Sequence, residues 1–484
     1  MRVRRLFFGM SLAGLLGLGA CSVAPPVLVP PALKEFDKPL DEEAVAAREK
    51  YNQSWWHDLG LVELDALIAE AGKGNFTVQA AELRLKEAQG MDSASIWSLL
   101  PKASLLLTES AGAIPKYQVD GYPNSRAPKG ISTTSRGGLN MSWELPLFGK
   151  AGAMNALSAA QVDYARWSLD VARDTVNTEL ALSYVEALGT KAMYAALKQS
   201  RDTAQQLVHE AGLLRDAGLS AQGDVDKLES QMLDVESQML EVKGRLETLR
   251  AKIGTLVGNP HAETLNNLLP WQSEPADASV SFASAILRLQ ERTHVEAATM
   301  RHRFDVKVAE ARVAQAAAQS GIATANLFPQ FTLQGAMNIA KGSLDSMGVT
   351  KGLQSMGNLD LGLRIPLLEW PALKAESNAR KTELEAVVMD YRATVLSAWE
   401  EASAAAAEAS VTLSKSRLAD RQEQLAGAEA SRQAEAAVRH YVASRDSLQA
   451  RAAHTAALKA KIQADTAFLL SWTRLRKAAG GWLS

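Results

Sequence analysis

Three stretches of the chain alternate apolar and polar residues with a period of two. Leu139, Met141, Trp143 and Leu145 alternate with Asn140, Ser142 and Glu144, and Phe331, Leu333, Met337 and Ile339 with Thr332, Gln334 and Asn338. Leu359, Leu361, Leu363 and Ile365 alternate with Asp360 and Arg364. Successive side chains of a strand point to opposite sides, so each stretch predicts a strand with one apolar and one polar face. Such a division suits a barrel with lipid outside and water inside. A fourth stretch, from Lys102 to Ala111, alternates poorly and is the weak member. The pattern predicts two hairpins, with strands near 102–112 and 137–147 and near 329–341 and 356–367. Four strands cannot close around a lumen, so a barrel requires several chains.

Elsewhere the periodicity is helical, and the helices are long. Gly149 to about Arg215 contains no proline and, unbroken, would extend roughly 100 Å at 1.5 Å per residue. Gly218-Leu219-Ser220 interrupts it, and a second helix is expected from about Ala221 to Val257. Ala372 to Tyr441 and Ser447 to Ala479 repeat that layout. Alanine-rich surfaces such as Ala402 to Ala409 allow helices to approach closely but do not fill a thick core, which favours a coiled-coil-like wall. An antiparallel bundle fits the helical periodicity as well; the strands favour the wall.

The chain is internally duplicated. Asn75 to Leu105 aligns without gaps with Arg303 to Leu333 at a constant offset of 228 positions. Phe76/Phe304, Val78/Val306, Ala81/Ala309, Glu82/Glu310, Arg84/Arg312, Ala88/Ala316, Leu99/Leu327, Pro101/Pro329 and Leu105/Leu333 are identical, where composition alone predicts about two or three matches. Each copy reads as a helix that stops at a proline and turns directly into a strand. The organisation expected is a signal peptide at 1–20, a tether at 21–54, a first repeat at 55–258, a connector at 259–302 and a second repeat at 303–484.

The N-terminal residues predict export. Arg2, Arg4 and Arg5 precede an apolar run from Leu6 to Ala20 that is too short to span a bilayer well. Leu18-Gly19-Ala20-Cys21 resembles the lipobox of bacterial lipoproteins, which implies acylation of Cys21; Ser22, in place of Asp, implies an outer-membrane destination. The proline-rich segment from Ser22 to about Glu49 reads as an extended tether. Cys21 is the only cysteine, which excludes disulfides within the chain and cysteine-based metal sites.

A net charge of −2, with both signs dispersed, gives no electrostatic reason to bind nucleic acid. No catalytic constellation stands out, so no enzyme is expected. His294 and His302 lack a carboxylate or histidine at metal-motif spacing, and Gly72-Lys73-Gly74 is too short for a phosphate loop. Neither a cofactor nor a metal is expected, apart from the covalent lipid on Cys21.

Several short motifs, taken in order, resemble the outer-membrane efflux proteins of the TolC and OprM type, in particular their lipoprotein (NodT-like) branch. They are the Trp55-Trp56 opening, the helix-to-strand joins Leu99 to Pro101 and Leu327 to Pro329, and the strand-to-helix joins Trp143 to Gly149 and Leu363 to Leu368. The resemblance implies a mainly α fold with β: a homotrimer whose twelve strands form an outer-membrane barrel continued by a twelve-helix periplasmic α-barrel. It also implies a passive exit duct for small toxic compounds (drugs, solvents or metals) in a Gram-negative outer membrane, driven by an inner-membrane pump through a periplasmic adaptor. Trp143 and Trp370, near strand ends, are candidates for an interfacial aromatic belt.

The resemblance also places adaptor docking and a gate at the two helix turns, with Gly218, Ser220 and Asp224 at one and Tyr441, Ser444, Arg445 and Asp446 at the other. An Asp224–Arg445 hydrogen bond, formed where adjacent helix pairs constrict together, is expected to help hold the turns shut; solvation of both side chains is the alternative. The pattern also departs from the family: Ser444 replaces a usual Gly, Asp446 a gating Arg, Ala450 and Ala453 lumen-facing Asp residues, and Phe304 the Pro of an Arg-Pro-Asp opening. Gly218 reads equally as a helix C-cap, and Tyr441 as a packed aromatic. A periplasmic coiled-coil lipoprotein without a pore, structural or adhesive, and an outer-membrane component of type I protein secretion remain the alternative functions.

Overall fold

The structure is a computed structural model of the chain, and it describes residues 55–114, 130–259, 282, 285–289, 295, 297–344, 353–439 and 443–480. Side chains of 113–114, 130–134, 298, 340–344 and 353–354 lie outside that description. So do Cys21, His294 and Tyr441.

A 3-10 turn at Trp55–Leu59 leads into α1 (Val62–Gly74) and α2 (Phe76–Ser98), then β1 (Lys102–Ile114) and β2 (Gly130–Leu145). Two long helices follow, α3 (Lys150–Asp216) and α4 (Gln222–Val257). The second copy runs α5 (Phe304–Ala325), β3 (Gln330–Leu344), β4 (Leu353–Arg364), α6 (Trp370–Val438) and α7 (Ser444–Ala478). The duplication is therefore structural as well as sequential, and the architecture is mainly helical with one small sheet.

The strand limits differ from the alternation at the ends far from the helices. β2 begins at Gly130, although 130–138 reads Gly-Ile-Ser-Thr-Thr-Ser-Arg-Gly-Gly and carries no alternation. Backbone pairing to β1 and β3 defines the strand there. β4 starts at Leu353 and ends at Arg364, where Pro366 removes a ladder donor. Both strand-to-helix joins use the same device: Leu147 N–H bonds Leu145 O at 2.9 Å, and Leu367 N–H bonds Ile365 O at 3.0 Å. α6 begins at Trp370 with Pro371 in its first turn, a position where the missing N–H costs nothing.

The contacts divide the chain into two compact units. The first comprises Lys86–Tyr164 and Glu310–Met389 and holds the sheet. The second comprises, among the described residues, 55–85, 165–309 and 390–480 and holds most of the core. There Trp55, Leu59, Leu64, Leu67, Ile68, Leu180, Tyr184, Ile253, Phe468 and Trp472 are buried together. Trp55 packs against Trp472 with ring centroids 6.3 Å apart, so the opening of one repeat seats on the end of the other.

Candidate functional site

The sheet has the order β1-β2-β3-β4, antiparallel throughout, and its register decides which side chains share a face. Leu105 pairs with Leu139, Leu139 with Met337, Trp143 with Leu333, and Leu333 with Leu361. The three alternating series thus merge into one apolar face, to which β1 adds Leu105 and Leu107. The opposite face carries Asn140, Glu144, Thr332, Gln334, Asn338, Asp360 and Arg364. The poor alternation of β1 comes from Leu106, which points to the polar side opposite Gly138. Leu105, Leu107, Leu359 and Leu361 are each about two-thirds or more exposed, and a contiguous apolar sheet face of this kind marks a membrane or protein contact. β1 and β4 also each leave one backbone edge unpaired within the sheet.

Trp143 lies on the apolar face, and its indole N–H donates to the carbonyl oxygen of Leu99 at 2.9 Å, pinning the helix-to-strand turn. Trp370, nearly half exposed, is the first residue of α6 rather than part of a strand.

In the second unit the long helices stand in the order α4–α3–α7–α6, each adjacency carried by named contacts. Arg245 of α4 meets Glu186 of α3, and Lys252 Nζ donates to Glu179 Oε2 at 2.8 Å. Between α3 and α7, Ala192 and Ala196 pack on Ile462, and Ser444 donates to Glu210. α7 and α6 are joined by a polar ladder: Thr412–Ser471 at 2.6 Å, Ser416–Asp465 at 2.5 Å, Lys461–Asp420 at 2.5 Å and His454–Glu423 at 2.9 Å.

The first helix turn is a Schellman cap. Gly218 has φ +75°, its N–H bonds Arg215 O at 2.8 Å, and Leu219 N–H bonds Leu214 O at 2.8 Å. The C-cap reading of Gly218 therefore accounts for its conformation. Ser220 donates to Asp224 Oδ2 at 2.8 Å. That hydroxyl, with the Ala221 N–H, holds the Asp224 carboxyl below its ordinary value; Arg445 adds a weaker attraction by charge alone. Within one chain the described hydrogen-bond partner of the Asp224 side chain is thus Ser220, in the turn just before α4, and Arg445 reaches it by charge only. Ser444–Glu210 is the contact that links the two turns. Asp446 lies in the first turn of α7.

A cluster barely legible in the residue pattern gathers at Arg303. Its guanidinium donates to Asp305 at 2.8 and 3.0 Å, to Glu401 at 2.6 Å and to the carbonyl oxygen of Ala478 at 2.5 Å, with a longer contact of 3.4 Å to that of Ala398. Gly480, at φ +60°, lies against the Arg303 side chain, where any Cβ would collide. The Arg-x-Asp spacing was its one legible sign. Among the described residues no group of three or more His, Cys, Asp or Glu is arranged to hold a metal ion.

An exposed one-sided apolar sheet joined in sequence to long, closely packed helices defines the class of outer-membrane channel proteins. The chain belongs to the Outer membrane efflux protein family, whose profile matches residues 67–259 and 297–481. It is 23% identical over 384 residues to Nodulation protein T of Rhizobium leguminosarum bv. viciae, covering 79% of this chain and 74% of that protein. It is 24% identical over 395 residues to the pyoverdine export outer membrane protein OpmQ of Pseudomonas putida, covering 80% and 78%. In structure it is similar to the outer-membrane channel OprN, with a TM-score of 0.73 at 21% identity over 96% of this chain and 99% of that one. It is likewise similar to the CmeC channel of Campylobacter jejuni, with a TM-score of 0.74 at 18% identity over 96% of each chain.

Proposed function

We propose that three copies of this chain form one conduit through the outer membrane, a passive exit duct for small toxic compounds driven by an inner-membrane pump through a periplasmic adaptor. The observation that carries this reading is the sheet: an exposed apolar face, a polar face opposite, and two unpaired edges in the same four strands. In a bilayer an open edge is untenable, and the remedy is closure against further copies. Three copies supply twelve strands, with the face of Asn140 and Thr332 toward water.

The helical layer supports the same closure, because its order ends at α4 on one side and α6 on the other. Leu233 and Leu240 of α4 and Val411, Leu418 and Leu425 of α6 are each more than half exposed, at steps of seven. They lie off the faces that pack within the chain. On α4 they flank small residues at the same step, Gly223, Ser230, Ser237, Gly244 and Ala251. Such stripes let helices of neighbouring copies approach closely.

Cys21 is the proposed lipid anchor, and the turns at Gly218 and Ser444 the proposed adaptor-facing end, with Ser220, Asp224, Tyr441, Arg445 and Asp446 around them. The cargo is proposed by class only; related proteins are named for pyoverdine export and for toluene efflux. The test is the conductance of the purified protein in planar bilayers together with its mass in detergent. A trimer with discrete channel openings is expected. A monomer, or a trimer without conductance, would leave a coiled-coil lipoprotein instead.

A further inference from the structure

Beside the Arg303 cluster lies a cavity of about 250 Å³, walled in part by Trp55, Asp174, Phe304, Glu401, Arg476 and Lys477. It lies within the second unit, where α3 of the first repeat meets the ends of the second. Asp174 belongs to α3, Arg303 immediately precedes α5 and Asp305 lies in its first turn, Glu401 belongs to α6, and Arg476 and Lys477 to the last turn of α7. With every group ionised the cluster is neutral, three carboxylates against three cations.

The carboxylates are not equivalent. Arg303 is committed to Asp305 and Glu401. Asp174 faces the cavity and takes no hydrogen bond from Arg303. It feels Lys477 most, then Arg476 and Arg303, with Asp305 opposing them. Loss of water around it outweighs all three cations and pushes its carboxyl up to about 6.

We propose that Asp174 is a proton-operated latch between the repeats: neutral, it keeps α3 packed on the last turn of α7, and ionised, it loosens that junction. The direction follows from linkage. A packed site that raises an acid's pKa binds the proton more tightly than its opened, hydrated form, so packing is favoured below the ordinary value of 3.8 and progressively weakened as pH rises through about 6. The gap between those two values bounds the change in opening equilibrium at about a hundred-fold.

Hydrogen exchange of the full-length protein in detergent tests this, with peptides covering 168–180 and 470–480 compared at pH 5 and pH 7.5 after correction for intrinsic rates. Wild type is expected to exchange up to about ten-fold more slowly at pH 5, and Asp174→Asn slowly at both. A second variant, Lys477→Met, removes the strongest cation and is expected to move the transition to higher pH. Exchange independent of pH in wild type would overturn the latch. So would an unchanged transition in Lys477→Met, whether or not Asp174→Asn folds. Channel conductance plays no part in the readout, so failure of the latch leaves the conduit reading untouched.

Discussion

Phe148 stacks on Phe328, ring centroids 5.1 Å apart and planes at 20°, and the two residues belong to opposite copies of the duplicated unit. Phe148 ends the turn after β2 and Phe328 precedes β3, so the stack fastens the two hairpins where their helices begin. Phe148 also has φ +53°, the one positive value at a non-glycine residue among those described. Its counterpart in the second copy, Leu368, lies almost fully exposed. Backbone strain is thus accepted at one join only, where an aromatic contact rewards it. Phe328→Ala is expected to lose about 1 kcal/mol beyond the buried area. Phe148→Gly should lose less, because glycine relieves the strained φ. Thermal melts of the purified protein that rank the two the other way would contradict this assignment.

The faces of the sheet give a sharper contrast. Leu333 and Leu361 pair with each other on the apolar side, while Thr332 and Asn338 lie on the other. Arginine at Leu361 or Leu333 is expected to cost about 2–4 kcal/mol near the bilayer midplane and to suppress assembly. Arginine at Thr332 or Asn338 should assemble normally. Trimer yield in outer-membrane fractions separates the two sets.

The proposed acylation of Cys21 would anchor the N-terminal segment stably, since one acyl chain gives marginal binding and two hold. Cys21→Ser is expected to abolish incorporation of a fatty-acid analogue and to leave the precursor uncleaved. Unchanged labelling would exclude this anchor.

Much of this architecture was written in local pattern, and the remainder in contacts between distant segments. The hairpins were legible because β2, β3 and β4 alternate, and the register then joins their apolar series into one face. The start of β2 at Gly130 was not, because glycine, serine and threonine carry no face preference and only the neighbouring strands hold that segment in the ladder. Gly218 was readable as a cap. The Ser220 hydroxyl as a partner of Asp224 was not legible, because the turn that brings it to the carboxylate is set by the Gly218 cap rather than by a residue pattern. Asp174 gave no sign at all: it sits in a charged stretch of α3, and the residues that wall its side of the cavity stand some 130 to 300 positions later.

The helix turns are joined within one chain by Ser444 and Glu210, whereas Asp224 is held by Ser220 of its own turn. If the turns form the closed end of the conduit, Ser444→Ala and Glu210→Ala should each raise single-channel conductance, with little added by combining them. Asp224→Ala and Arg445→Ala should leave it near wild type, since their attraction is through solvent and is worth little. A larger rise from Asp224→Ala than from Glu210→Ala would reverse this ordering.

The contact between copies is the most demanding test, because it requires a specific pairing of α4 with α6. Counting inward from the shared turn end, Glu241 lies 19 residues along α4 from Gln222, and Arg421 lies 17 residues back along α6 from Val438. The two would stand within about one turn of each other if these helices run antiparallel. From Asp224 to Glu241, α4 carries six acids and one lysine, while the matching stretch of α6, residues 419–436, carries Arg421 and Arg432 among four acids, so Arg421 is the cation placed to meet Glu241. Leu240→Glu or Leu418→Glu should weaken the trimer, each exposed leucine being worth about 1.5–3 kcal/mol once buried, three times over by symmetry. Arg421→Glu should weaken it less, and Glu241→Arg in the same chain should restore it. Native mass spectrometry of the four variants decides the point. Trimers unaffected by both leucine replacements would show that α4 and α6 do not meet across the contact, and a swap that fails to restore Arg421→Glu would shift the register.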